Sequence, residues 1–108
     1  MAIILAGAST PPIAKSMEFT RYATTFGTLT WAKYSCKNLK VDNVETFTKL
    51  KDAGMKSEDF FSEEFQSLVA VVMIELEKEK NQPKLCELIL DQYGPRGRIM
   101  PGLTERLH

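Results

Sequence analysis

Histidine is nearly absent from this sequence, and its single copy is His108. Catalytic pairs of serine or cysteine with histidine, and metal clusters built on histidine, cannot be assembled from this chain. Carboxylates offer no replacement, because Glu63 and Glu64, or Glu75 and Glu77, point in different directions on a helix. The sequence therefore predicts no catalytic residues, no metal site, no cofactor and no small-molecule substrate. We expect a protein that is not an enzyme.

Cysteine is scarce as well, with Cys36 and Cys86 as the two copies. They form no CxxC motif and are too few for a disulfide framework. We expect two free, buried thiols in a reducing compartment. No apolar run reaches the length of a transmembrane helix, and the apolar start lacks the basic residues of a signal peptide. These absences predict a cytoplasmic protein without a membrane partner, or a virion component if the source is viral.

Net charge is zero, so the whole chain carries no bias toward nucleic acid or membrane. Its distribution is uneven. Residues 1–40 carry five Lys or Arg and one Glu, whereas residues 41–93 carry twelve acidic residues against six lysines. Residues 94–108 are basic again, with three arginines and one Glu. Basic ends thus flank an acidic middle, a pattern that either is an ordinary mixed surface or favours head-to-tail contacts between copies.

The most strongly patterned stretch covers residues 57–80. Ser57 can cap a helix, and the apolar residues that follow have helical spacing. The run from Leu68 to Ile74 has no polar side, which is typical of a helix buried on most of its circumference. A buried strand is the competing interpretation, since valine and isoleucine favour strands. The flanks are rich in helix formers and contain no Gly or Pro, so we predict a helix.

Four further helices are predicted from caps and periodicity. They begin and end as follows: Thr10 to Gly27, Thr28 to Lys40, Asp42 to Gly54, and Pro83 to Tyr93. For the first two, the alternative is a pair of strands, because the threonines between Thr20 and Thr30 favour strands and also permit a hairpin across Gly27. The capping-box spacing of Asp42 and Glu45 marks the third.

The predicted fold is all-α, a single small domain of about five helices around the buried central helix. Residues 1–12 form an extended N-terminal arm, residues 13–93 the helical domain, and residues 94–108 an irregular C-terminal tail. Prolines and glycines separate both ends from the helices.

The first residues, Ala2 to Gly7, resemble the opening strand of sugar-phosphate nucleotidylyltransferases, in which AIILAGG leads into a glycine-rich turn. That resemblance would imply a nucleotide-binding enzyme. Here Ala8 stands where the family has its second glycine, and Pro11 occupies the basic end of the motif. A loop that cradles phosphate needs a close backbone approach, which these residues impair.

Two functions are compatible with this pattern. The first is self-assembly or an adaptor role, in which apolar side chains of the two ends contact a second copy or another protein. The predicted contact residues are Ile3, Ile4, Leu5, Ile99, Met100 and Leu103.

The alternative is binding of single-stranded nucleic acid, as in a nucleocapsid. Basic residues interleaved with aromatic ones can hold phosphates and stack bases. The residues predicted for this role are Trp31, Lys33, Tyr34, Lys37, Lys40, Arg96 and Arg98. A solvated lysine face with a half-buried tryptophan would give the same pattern.

Overall fold

The computed structural model describes the backbone of residues 2–107 and the side chains of residues 17–107. Within that part of the chain, five helices and two short strands follow in the order α1 (Ala2–Ser35), β1 (Leu39–Val41), α2 (Asn43–Asp52), α3 (Ser57–Phe60), α4 (Glu63–Glu77), α5 (Gln82–Tyr93) and β2 (Thr104–Arg106). The prediction of a single, mostly helical domain is confirmed. The antiparallel strand pair was not predicted, and the helices divide the chain differently.

Helix α1 continues through Gly27, where a helix end was predicted. The glycine is needed for packing. A Cβ at this position would lie 3.0 Å from the Cβ of Val72 and 3.1 Å from the carbonyl oxygen of Val69, so the missing side chain lets α1 and α4 approach closely. The predicted helical state of this region is confirmed and the alternative of a hairpin across Gly27 is wrong, because Thr25 and Thr28 are buried helical residues.

The core is organised around the second half of α1. One buried cluster joins α1 to α5, β1 and the C-terminal segment, and it contains Leu29, Trp31, Ala32, Cys36, Leu39, Cys86, Ile89, Tyr93 and Leu103. The other joins α1 to α2 and α4, and it contains Ala23, Leu50, Met55, Phe65 and Val69. Helix α1 thus contacts α2, α4, α5 and β1. The central position that the sequence predicted for the valine-rich helix belongs to α1.

The valine-rich segment is two helices and is not fully buried. The predicted helix is interrupted at Ser62, which caps α4. The Ser62 hydroxyl donates to the carbonyl oxygen of Asp59 at 2.7 Å and accepts from the backbone N–H of Phe65 at 3.2 Å. Val71 and Ile74 are 53% and 57% exposed. The prediction of a helix enclosed on most sides is therefore wrong for α4, whose packed face lies against α1.

Helices α2 and α5 follow the predicted boundaries closely. Asp42 caps α2, with its carboxylate accepting from the backbone N–H groups of Val44 and Glu45. Beyond the end of α2, Gly54 has a φ of +123°, a left-handed conformation that favours glycine. Helix α5 is capped by Asn81 and carries proline in its first turn.

The C-terminal tail docks on its own chain instead of reaching outward. Strand β2 pairs antiparallel with β1, so that Leu39 faces Arg106 and Val41 faces Thr104. Leu103 is 2% exposed and belongs to the first core cluster. The predicted irregular tail is therefore in part an ordered element that closes one side of the domain.

Cys36 and Cys86 form a disulfide, which overturns the prediction of free thiols. The bond ties the end of α1 to the first turns of α5 across 50 residues of chain. Sequence spacing could not reveal it, because the pairing depends on how α1 and α5 pack. The inference of a reducing compartment loses its basis with it.

The extended conformation predicted for residues 1–12 is not found, because the backbone from Ala2 onward belongs to α1. The side chains of these residues lie outside those that the structure describes. The contact role of Ile3, Ile4 and Leu5 stays a prediction.

Candidate functional site

Helix α4 carries an exposed face on the side opposite α1. We call this face the outer stripe. Its residues are all exposed and follow steps of three or four, apart from one adjacent pair at the centre: Glu63, Ser67, Ala70, Val71, Ile74 and Lys78, the last being the C-cap. The opposite face packs inward, with Phe65 and Val69 buried. An apolar helix thus has one side in the core and a second apolar side in solvent.

The charged residues within α4 lie at its two ends and are all acidic. Glu63 and Glu64 lie in the first turn, and no basic residue lies in the last turn of the helix itself. Beyond that end, the Lys78 ammonium is 3.1 Å from the Glu75 carboxylate in an exposed ion pair. Glu77 is exposed, and its carboxylate accepts a hydrogen bond from the Trp31 indole N–H at 3.0 Å. The outer stripe therefore has an acid at its first position and a base at its last.

Another exposed apolar residue, Phe61, lies at the edge of a cluster of aromatic rings that was not predicted from the sequence. All six phenylalanines join one network of ring contacts, with Phe60 at its centre. Phe61 packs on Phe60 with ring centroids 5.1 Å apart, yet it is 72% exposed. The spacing of the phenylalanines could not show this cluster, because they come from α1, α2, α3 and α4.

The predicted nucleic-acid residues are not brought together as one surface. Trp31 is 3% exposed, so its ring is part of the core and does not present a stacking face. Lys40 is 3.9 Å from Glu105 across the strand pair. Arg98 is 2.6 Å from Asp91.

The remaining basic residues of that set are exposed in two places. Lys33 and Lys37 lie at the end of α1, where the Lys33 ammonium is 5.9 Å from the ring centroid of Tyr34, itself 72% exposed. Arg96 lies beyond α5 and lines an open groove of about 520 Å³.

The same groove holds an ion pair between Glu87 and Arg106 in which both carboxylate oxygens are bound. Arg106 donates from both terminal nitrogens to the two carboxylate oxygens of Glu87, each at 3.1 Å. Hydrogen bonding and the charge of Arg106 lower the pKa of Glu87 below its ordinary value of 4.5. This pairing of a solvent-exposed carboxylate is a contact between α5 and β2.

The predicted contact residues of the tail divide between core and surface. Leu103 is buried, Met100 packs against both core clusters, and Ile99 is 52% exposed. Among residues 17–107, no group of three His, Cys, Asp or Glu side chains is placed to hold a metal ion. In the described part of the chain, no helix combines the length and the apolarity needed to cross a bilayer.

The chain matches no protein-family model, and comparisons with curated proteins and with solved structures give no match. The function is therefore inferred from the chemistry of the protein surface.

Proposed function

We propose that this protein is a non-enzymatic self-assembling protein that acts through contacts between copies of itself. The observation that carries the proposal is the exposure of Val71 and Ile74, at 53% and 57%, on one face of a helix whose other face is packed. The apolar side chains predicted for the arm, Ile3, Ile4 and Leu5, supply a second contact surface in this proposal.

The energetics favour a contact of modest strength. Full burial of a valine or isoleucine contributes about 1.5–3 kcal/mol, so covering the exposed half of each recovers roughly 0.8–1.5 kcal/mol. Two copies of Val71 and Ile74 in one interface then supply about 3–6 kcal/mol. Association itself costs about 4 kcal/mol or more in lost freedom. We therefore expect the outer stripe alone to give a weak dimer, and larger assemblies to need the arm as well.

Fewer residues of the two chain ends are available for contacts between copies than the sequence predicted. Leu103 and Met100 serve the chain's own core, so the tail contributes less to contacts between copies. Lys40 and Arg98 pair with carboxylates of the same chain, which weakens a head-to-tail contact driven by the basic ends. The outer stripe of α4 takes over the role first given to the tail.

The test is the mass in solution as a function of concentration. We expect the wild-type mass to rise between about 10 and 300 μM, the range over which weak interfaces associate. Ile74→Glu places a charge in the stripe and should keep the protein monomeric. Val44→Glu is the matched control, because Val44 is 73% exposed on α2, away from α4. A wild type that stays monomeric throughout contradicts the proposal.

Binding of single-stranded nucleic acid is the second candidate function. The specific observation in its favour is the exposed Tyr34 ring, with the Lys33 ammonium 5.9 Å from its centroid and Lys37 exposed nearby in the chain. The ultraviolet absorbance ratio of the purified protein, recorded in the same mass measurement, reports bound nucleic acid. Trp31 takes no part in this version, since its ring is buried.

A further inference from the structure

We infer that the contact between copies is an antiparallel, two-fold pairing of the outer stripe of α4 with the same stripe of a second copy. This inference rests on the proposed function and specifies its geometry. Three properties of the stripe support it: the symmetry of its positions, the sizes of its side chains and the placement of its charges.

The positions of the outer stripe are spaced symmetrically about its midpoint. Its midpoint lies between Ala70 and Val71, Ser67 and Ile74 are equally far from that point, and so are Glu63 and Lys78. When two copies lie antiparallel, each position therefore meets a stripe position of the partner at the same level. Such self-matching is the condition for a closed two-fold interface.

Side-chain sizes fit this arrangement. Ser67 of one copy lies at the level of Ile74 of the other, so a small side chain faces a large one at two symmetric places. Ala70 and Val71 lie at the two-fold axis, where the small alanine allows the helices to approach. Packing of large side chains into spaces beside small ones is the ordinary way in which helix faces interlock.

Charge favours the antiparallel over the parallel pairing. Antiparallel copies place Glu63 at the level of the partner's Lys78, and this happens at both ends of the contact. Parallel copies would instead place Glu63 beside Glu63 and Lys78 beside Lys78. Glu64, off the stripe, lies at the level of an acid in both arrangements, because antiparallel pairing brings it level with the partner's Glu77. Lys78 is held within its own chain by an exposed ion pair with Glu75, a contact that costs little to share or exchange.

The stripe is short, which fixes the scale of the experiment. From Glu63 to Lys78 a helix rises about 22 Å, and its face is about 10 Å wide, well below the area of about 800 Å² per partner that stable complexes bury. Dimerisation must therefore be followed at high protein concentration, by sedimentation equilibrium at low salt.

Charge reversal tests the direction of pairing. Glu63→Lys alone and Lys78→Glu alone each place like charges at both ends of an antiparallel dimer, and we expect each to weaken dimerisation about three- to tenfold. A mixture of the two variants should regain wild-type affinity, because the mixed dimer has opposite charges at both ends. Glu58→Lys makes the same charge change on α3 and serves as the control. Circular dichroism confirms that each variant is folded.

The outcomes separate this inference from the proposal beneath it. If Ile74→Glu abolishes dimerisation but Glu63→Lys alone and Lys78→Glu alone each dimerise as tightly as wild type, the stripe is the interface and antiparallel pairing is refuted, because only an antiparallel dimer loses opposite-charge contacts in these variants. Tighter pairing of Glu63→Lys with wild type than of either protein with itself would establish the parallel arrangement, because a parallel dimer would then have opposite charges at position 63, whereas an antiparallel dimer would keep like charges at one end. A monomeric wild type that associates only after deletion of residues 1–12 would show that the chain's own arm covers the stripe, and it would overturn both.

Discussion

Reduction of the disulfide between Cys36 and Cys86 should lower the free energy of unfolding by about 4 kcal/mol. The bond closes a loop across 50 residues, and the entropy that such a loop removes from the unfolded chain amounts to about 14 cal/mol/K, or about 4 kcal/mol at 25 °C. A domain of this size has a total stability of roughly 5–15 kcal/mol. Reduction should therefore remove a quarter or more of it.

The assay is urea unfolding followed by the fluorescence of Trp31, with and without a reductant. Trp31 is the single tryptophan, it is buried, and it belongs to the same core cluster as both cysteines. With a urea slope of about 1–3 kcal/mol/M, the midpoint should fall by roughly 1.5–4 M on reduction. The control is the double variant Cys36→Ala and Cys86→Ala, whose midpoint should not respond to reductant. Equal midpoints for oxidised and reduced wild type, after thiol titration has verified both states, would refute the cross-link as a stabilising element.

Two further predictions concern packing and pH. Phe60→Ala should destabilise the domain by about 2–3 kcal/mol, because Phe60 is the centre of the aromatic network but is only partly buried, while Phe61→Ala at the exposed edge should cost less than about 1 kcal/mol; thermal unfolding of both compares them directly, and equal losses would contradict the assignment. The pKa of Glu87 is lowered by Arg106, so their pairing stabilises the fold above the ordinary pKa of 4.5 and is lost as pH falls through the lowered value. Carboxyl chemical shifts in an NMR titration should show Glu87 titrating below 4.5 in the wild type and near 4.5 in Arg106→Ala; identical titrations in the two proteins would contradict the pairing.

Helices whose signals are local were predictable from the sequence. The carboxylate of Asp42 caps α2 through backbone groups two and three residues away, and proline in the first turn of α5 acts within the same short range. Gly54 and Gly27 show the limit of such signals. Both were interpreted as helix ends, but only Gly54 has positive φ, whereas Gly27 is a point of contact with α4 that no local pattern distinguishes.

Features that depend on distant parts of the chain were missed. The disulfide, the pairing of β1 with β2 and the aromatic network each join elements whose proximity is decided by tertiary packing. The role of Trp31 in the predicted nucleic-acid site was wrong for the same reason. Trp31 among lysines resembles a stacking face, but in the fold its indole N–H reaches Glu77 on α4 and the ring is enclosed.

The exposure of α4 has a cause in the placement of α1. The apolar run from Leu68 to Ile74 indicates that this segment needs packing partners, but it does not indicate which element packs on it. Helix α1 takes the central place because it is contacted by α2, α4, α5 and β1, and α4 is left with α1 as its main neighbour. Single exposed apolar residues are ordinary on protein surfaces. Val71 and Ile74 differ because they are neighbours on one helix face, backed by a packed one, and that adjacency is the reason to look for a second copy at α4.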